Sequence, residues 1–125
     1  MPTKKEALDY LGEFLMKYHR DQTLFTLEKA FKGKWKSKSL QDFQEVLQSL
    51  SNDQRDILFK GFEHIISGAL HDLLFNFDEE KHFKNRIKLV VDGYDAVKIS
   101  DAIYGEQYGE DGWIQRFSRY KDKEA

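Results

Sequence analysis

The stretch from residue 52 to residue 77 constrains the fold of this chain most. Its apolar side chains recur at helical spacing and cover more than half of the circumference of a helix. We expect a helix of that character to lie at the centre of the protein, with other helices around it. Lys60, Glu63 and Asp72 interrupt the stretch, whereas a membrane span requires about 20 predominantly apolar residues. The pattern therefore predicts a long helix inside a globular domain.

Three more helices are predicted before this central one. Thr3 with Glu6 has the Ser/Thr-x-x-Glu spacing of a capping box, and Ser51 with Gln54 repeats it with glutamine at the start of the central helix. The first helix is expected to end near residue 19 or 20, so that Asp21 caps a second helix. A third helix follows from the apolar spacing between residues 40 and 50.

The pattern changes after residue 80. A β-branched segment at residues 87–91 is followed by Asp92 and Gly93, a dipeptide typical of hairpin turns. Residues 94–104 fit a second strand or a short helix almost equally well. The sequence therefore predicts one mainly α domain over residues 1–125, with four to five helices packed around the helix at about 52–77. A small β-hairpin at about 87–99 and an irregular glycine-rich C-terminal region complete the prediction.

Composition excludes several classes of function. The chain has 125 residues and no cysteine, so disulfides, thiolate catalysis and cysteine-based metal sites are excluded. Its net charge of −2 argues against general nucleic-acid binding, which needs a basic surface. Residues 1–62 carry +2 and residues 63–125 carry −4. The absence of cysteine and of an apolar leader segment favours a cytoplasmic location.

The most informative candidate site is a glycine-rich segment that combines carboxylates with tyrosine and tryptophan. Tyr and Trp provide a large contact area at little entropic cost, so this mixture is typical of binding surfaces. The predicted partner-binding residues are Asp101, Tyr104, Glu106, Tyr108, Glu110, Asp111 and Trp113. The alternative is a loop whose aromatic side chains face inward and cap the helices, and the sequence leaves both open.

A second candidate site lies on the central helix. His64, His71 and Asp72 share one stripe of that helix with Gly61 and Gly68. Such a seam could bind a metal or a small molecule, because imidazole titrates near neutral pH. The two histidines, however, are about 10 Å apart along the helix axis, so a shared ion would need a ligand from another element. Close helix packing at the glycines is the competing interpretation.

No Walker, nucleophile-elbow or other catalytic motif is present. We therefore expect a small, soluble, non-catalytic binding protein that engages a protein partner through its acidic aromatic surface, as an inhibitor or immunity-type protein does. The alternative is a helical protein that binds a small molecule or metal through the His/Asp seam. The sequence indicates no cofactor and no membrane partner, and it leaves self-association open.

Overall fold

The computed structural model of this chain describes residues 1–121. It has a mainly α fold with a long central helix and a small antiparallel hairpin, which confirms the predicted fold class. The α-helices are α1 (Lys4–Leu15), α2 (Gln22–Phe31), α3 (Gln41–Ser49), α4 (Asn52–Glu80), α5 (Ala96–Ile99) and α6 (Trp113–Phe117). A π-helical turn covers Met16–Asp21, and 3₁₀ turns cover Lys38–Leu40 and Ile103–Gly105. No helix within this described part is both long and apolar enough to cross a membrane.

Both predicted capping boxes are formed. The Thr3 hydroxyl accepts a hydrogen bond from the Glu6 amide at 3.1 Å, and the Glu6 carboxylate accepts one from the Thr3 amide at 3.3 Å. The same reciprocal pair joins Ser51 and Gln54 at the start of α4. These side chains satisfy amides that have no partner within the helix.

The predicted break between the first two helices is wrong. The chain stays helical from α1 to α2 through the π turn, and Asp21 has helical backbone angles and makes no capping hydrogen bond. A π turn contains more residues per turn than an α-helix, which changes the direction of the side chains that follow it. Here Arg20 and Asp21, although adjacent in the chain, are both buried.

The hairpin is shorter than predicted. Strands β1 (Val90–Val91) and β2 (Tyr94–Asp95) pair in antiparallel fashion, and Asp92 and Gly93 form the turn with positive φ angles of 53° and 83°. Helix α5 begins directly after β2, and the Asp95 carboxylate caps it by accepting from the Val97 amide. Both interpretations of residues 94–104 were therefore correct in part.

The main core lies between α1, α4, α5 and α6, and its centre is formed by Leu11, Met16, Leu70, Leu74, Ile103 and Trp113. A second, smaller cluster joins α2 and α3 through Leu27, Ala30 and Leu47. In α4 the buried residues are Ser67, Leu70 and Leu74, which share one side of the helix. The opposite side of α4 is exposed, so the neighbouring elements cover this central helix on one side and do not surround it.

Candidate functional site

Two segments that are distant in the sequence form one cluster of aromatic rings. Tyr104 and Tyr108 come from the glycine-rich segment, and His71 and Phe75 come from α4. The Tyr104 ring lies edge-on to Phe75, with the ring centres 5.2 Å apart, and edge-on to His71 at 5.6 Å. The Tyr108 ring centre is 6.3 Å from that of His71. This cluster joins residues of the first predicted site to residues of the second.

One side of the cluster is packed against the protein, and the other side is open to solvent. Tyr108 remains 47% exposed and Phe75 40% exposed, although both rings contact neighbours. The Asp72 carboxylate lies 3.2 Å from His71 Nδ1, and its side chain is 79% exposed. We call these five residues, His71, Asp72, Phe75, Tyr104 and Tyr108, the aromatic surface.

Gln107 holds the glycine-rich segment against α4. This side chain is fully buried, and its Nε2 donates to the Ser67 carbonyl at 3.1 Å. The Tyr108 hydroxyl lies 3.5 Å from the same carbonyl. Position 112 requires a glycine, because a Cβ there would lie 2.3 Å from the Tyr108 carbonyl oxygen. These constraints fix the backbone on both sides of Tyr108.

The predicted partner-binding residues divide into three groups. Asp101, Tyr108, Glu110 and Asp111 are exposed. Tyr104 and Glu106 are partly buried, and the Glu106 carboxylate accepts a hydrogen bond from the Ser100 hydroxyl at 3.0 Å. Trp113 is completely buried in the main core. Trp113 therefore supports the fold and is not part of the surface on which the sequence analysis placed it.

The predicted His/Asp seam is divided in the same way. His71 and Asp72 belong to the aromatic surface, whereas His64 lines a separate cleft. Within residues 1–121 no three His, Asp or Glu side chains converge in a way that could hold a metal ion. The residues of the seam therefore lie in two different environments along one helix.

The cleft beside the aromatic surface has a volume of about 750 Å³. Its charged lining consists of Arg20, Lys60, Arg119 and Lys121 with Asp56 and Glu63. Tyr108 lines both the cleft and the aromatic surface. Burial raises the pKa of the Tyr108 hydroxyl above its usual value, with the charge of Arg20 opposing and that of Asp72 adding to the effect. This hydroxyl donates to the Ser67 carbonyl.

Arg20 lies at the base of the cleft and is 2% exposed. Its Nε donates to the Ser118 hydroxyl at 3.3 Å, and its Nη2 donates to the Tyr120 carbonyl at 3.0 Å and to Glu63 at 3.4 Å. Its Nη1 donates to the Ser67 hydroxyl. One guanidinium thus connects the π turn, α4 and the C-terminal segment.

The Asp21 carboxylate extends this network. One of its oxygens accepts from the Ser118 hydroxyl at 2.6 Å, and the other accepts from the Arg119 amide at 2.9 Å. Sequence reasoning missed the network, because Arg20 and Asp21 resemble ordinary residues at a helix end. Ser118 carries no recognisable motif, and it lies 98 residues from Arg20 in the chain.

Comparisons with known proteins find no match for this chain among family models, curated proteins or solved structures.

Proposed function

We propose that this chain is a non-catalytic binding protein that engages a basic region of a protein partner through the aromatic surface. The observation that carries the proposal is the exposure of Tyr108 and Phe75, 47% and 40%, within a cluster whose rings are packed in place. Rings that are already ordered lose little conformational entropy on binding. Aromatic side chains of this kind supply most of the binding energy at many interfaces.

The carboxylates of the glycine-rich segment and of Asp72 support a basic partner, whereas the cleft that Tyr108 also lines carries an excess of positive charge. Asp101, Glu110 and Asp111 are exposed in the same segment as Tyr108, and Asp72 lies within the surface itself. Residues 63–125 carry a net charge of −4. Carboxylates around an apolar centre steer a positively charged partner and exclude acidic ones. An inhibitor or immunity-type protein that covers a basic active site would use a surface of this composition.

A matched pair of variants tests the proposal. Tyr108→Ala removes the central exposed ring, and Tyr18→Ala removes a tyrosine that is 59% exposed on the π turn, outside the aromatic surface. A partner is captured from native extract with the wild-type chain, identified and purified, and its dissociation constant is then measured with each variant. We expect Tyr108→Ala to weaken binding at least about tenfold and Tyr18→Ala to leave it unchanged. Equal binding by both variants would exclude the aromatic surface as the binding site.

A second candidate function is the binding of a small anion in the cleft. Four cationic side chains and two carboxylates line it, so the cleft has an excess of two positive charges in a chain whose net charge is −2. Its volume of about 750 Å³ lies within the range of ligand sites. His64 lines the cleft and provides a spectroscopic probe.

Titration with inorganic phosphate, followed by the NMR signals of the His64 ring, tests this second function. We expect a saturable shift that Arg119→Gln weakens and that Arg86→Gln, which changes a cation outside the cleft lining, leaves unchanged. A shift that does not saturate up to about 10 mM phosphate would contradict it.

A further inference from the structure

The rings of the aromatic surface stand in different orientations. The rings of His71 and Phe75 are nearly parallel, with 8° between their planes and 6.4 Å between their centres. The Tyr104 ring stands at 77° to His71 and at 70° to Phe75. The Tyr108 ring is tilted by 47° to His71. Because the face of an aromatic ring carries partial negative charge, the open side of this cluster attracts cations.

The gap between the two parallel rings is too narrow for a ligand. A group between two rings needs about 7 Å, because each contact takes about 3.5 Å. The 6.4 Å between the ring centres of His71 and Phe75 is less than this. A cation therefore binds on the exposed side of the cluster, where Tyr108 and Phe75 are open to solvent. A flat cation makes the largest contact with such a surface, whereas a bulky trimethylammonium group needs rings on several sides.

A carboxylate lies beside these rings. The Asp72 side chain is largely exposed, and its Oδ1 lies 3.2 Å from His71 Nδ1. Burial is the main cause that raises the pKa of the Tyr108 hydroxyl, and the charge of Asp72 adds to it, so this carboxylate acts electrostatically on Tyr108. An ionised carboxylate accepts up to about four hydrogen bonds. Asp72 therefore keeps acceptors for a ligand beside the rings.

Cations of this chain are engaged elsewhere. Arg20 also acts on Tyr108, but its guanidinium is buried and donates to Ser67, Ser118 and Glu63. In the part of the chain that the structure describes, four cations lie over rings outside the aromatic surface: Lys17, Lys29, Arg116 and Arg119. These side chains leave the ring faces of the aromatic surface open to a cation from a partner.

We propose that the aromatic surface recognises an arginine side chain of the partner, an inference that rests on the proposed function and names the group that is bound. The guanidinium stacks on the exposed ring of Tyr108, and its forked N–H groups donate to the Asp72 carboxylate. A guanidinium is flat and less strongly hydrated than an ammonium group, so it gains more from contact with a ring face. Its paired donors match the two oxygens of a carboxylate. Lysine offers neither the flat surface nor the fork.

An NMR titration of the full chain with blocked tripeptides tests the proposal. The probe is acetyl-Gly-Arg-Gly-amide, and the ring signals of His71 and Tyr108 report its binding. We expect a saturable shift with a dissociation constant on the order of 1 mM, because a single side chain is bound. The same peptide with lysine in place of arginine should bind at least about threefold more weakly. The peptide with citrulline, which has the shape of arginine without its charge, should give no saturable shift.

Matched variants separate recognition by this surface from general attraction between charges. Asp72→Asn should weaken binding of the arginine peptide at least about threefold. Asp53→Asn removes an exposed carboxylate from the first turn of α4 and should leave binding unchanged. Tyr108→Leu should weaken binding by a similar factor, whereas Tyr108→Phe, which keeps the ring, should retain it. Equal binding of the arginine and lysine peptides, or equal binding by Asp72→Asn and Asp53→Asn, would overturn the proposal.

Failure of the arginine site can be distinguished from failure of the proposed function. If Tyr108→Ala weakens binding of the captured partner but the arginine peptide gives no saturable shift up to about 10 mM, the arginine site is overturned and the proposed function stands. If the arginine peptide binds as expected but the partner binds Tyr108→Ala as tightly as wild type, the arginine site is supported. In that case the proposed engagement of this partner through the aromatic surface is contradicted.

Discussion

Gly12 and Trp113 are in direct contact: a Cβ added to Gly12 would lie 2.3 Å from the Trp113 indole. The glycine is in α1 and the tryptophan begins α6, so the missing side chain allows the largest residue of the core to pack against the helix backbone. Both residues are buried, and Trp113 is fully so. The packing of the C-terminal region on α1 depends on this contact.

Gly12→Ala should destabilise the protein, because the rigid indole and the helix backbone cannot both move aside. We expect a loss of about 1–3 kcal/mol from overpacking, reduced by the better helix propensity of alanine. Urea unfolding followed by circular dichroism measures the change. Gly68→Ala is the control, since no described atom beyond its chain neighbours and the nearby backbone of α4 lies within 4 Å of its Cβ position, and it should stabilise α4 by up to about 1 kcal/mol. A stabilising Gly12→Ala would disprove the close contact.

Ser118→Ala should destabilise the protein because it breaks the buried network at two points. The Ser118 hydroxyl donates to Asp21 at 2.6 Å and accepts from Arg20 Nε at 3.3 Å. Loss of a partner for buried polar groups costs about 1–3 kcal/mol, and more for charged groups. The same unfolding measurement applies, with Ser49→Ala as the control. Ser49 is exposed and bonds only locally to Val46, so its variant should stay within about 0.5 kcal/mol of wild type.

Tyr120 should make stability depend on pH in the alkaline range. Burial and the negative charge of Glu28 raise the pKa of the Tyr120 hydroxyl to about 12, with the charge of Arg119 opposing. The ordinary value is 10.0, so the unfolded chain loses this proton first, and the free energy of unfolding falls as pH rises from about 10 to about 12. Tyr120→Phe should reduce that slope in urea titrations at several pH values. An identical slope in wild type and variant would contradict the assignment.

Asp9 should make stability depend on pH in the acidic range, where the free energy of unfolding falls as pH falls. Burial raises the pKa of its carboxyl group, but hydrogen bonds and charges from Arg116 and Lys5 outweigh it and hold the pKa below 3.8. The resulting stabilisation is present above that value and is lost as pH falls through the lower pKa of the folded state. Arg116→Gln should therefore weaken the dependence of stability on pH below about 4, by less than about 1 kcal/mol because the pair is partly exposed. Lys17→Gln changes a cation on the π turn and should leave this dependence on pH unchanged.

Features that depend on neighbours in the sequence were predictable. The capping boxes at Thr3 and Ser51 and the turn at Asp92 and Gly93 formed as expected. The prediction failed at Asp21, whose carboxylate has a distant partner in Ser118 and makes no capping bond. A cap and a buried acceptor use the same residue type, so local pattern does not distinguish them.

Helical periodicity and capping act over a few residues, so the mainly α class, the long helix α4 and the segment rich in tyrosine and carboxylates could be read from the chain alone. The burial of Trp113 in the core, the exposure of Tyr108 and the contact of Tyr108 with His71 of α4 could not. Whether a side chain is buried depends on residues far along the chain, and their positions follow from the packing of all helices together.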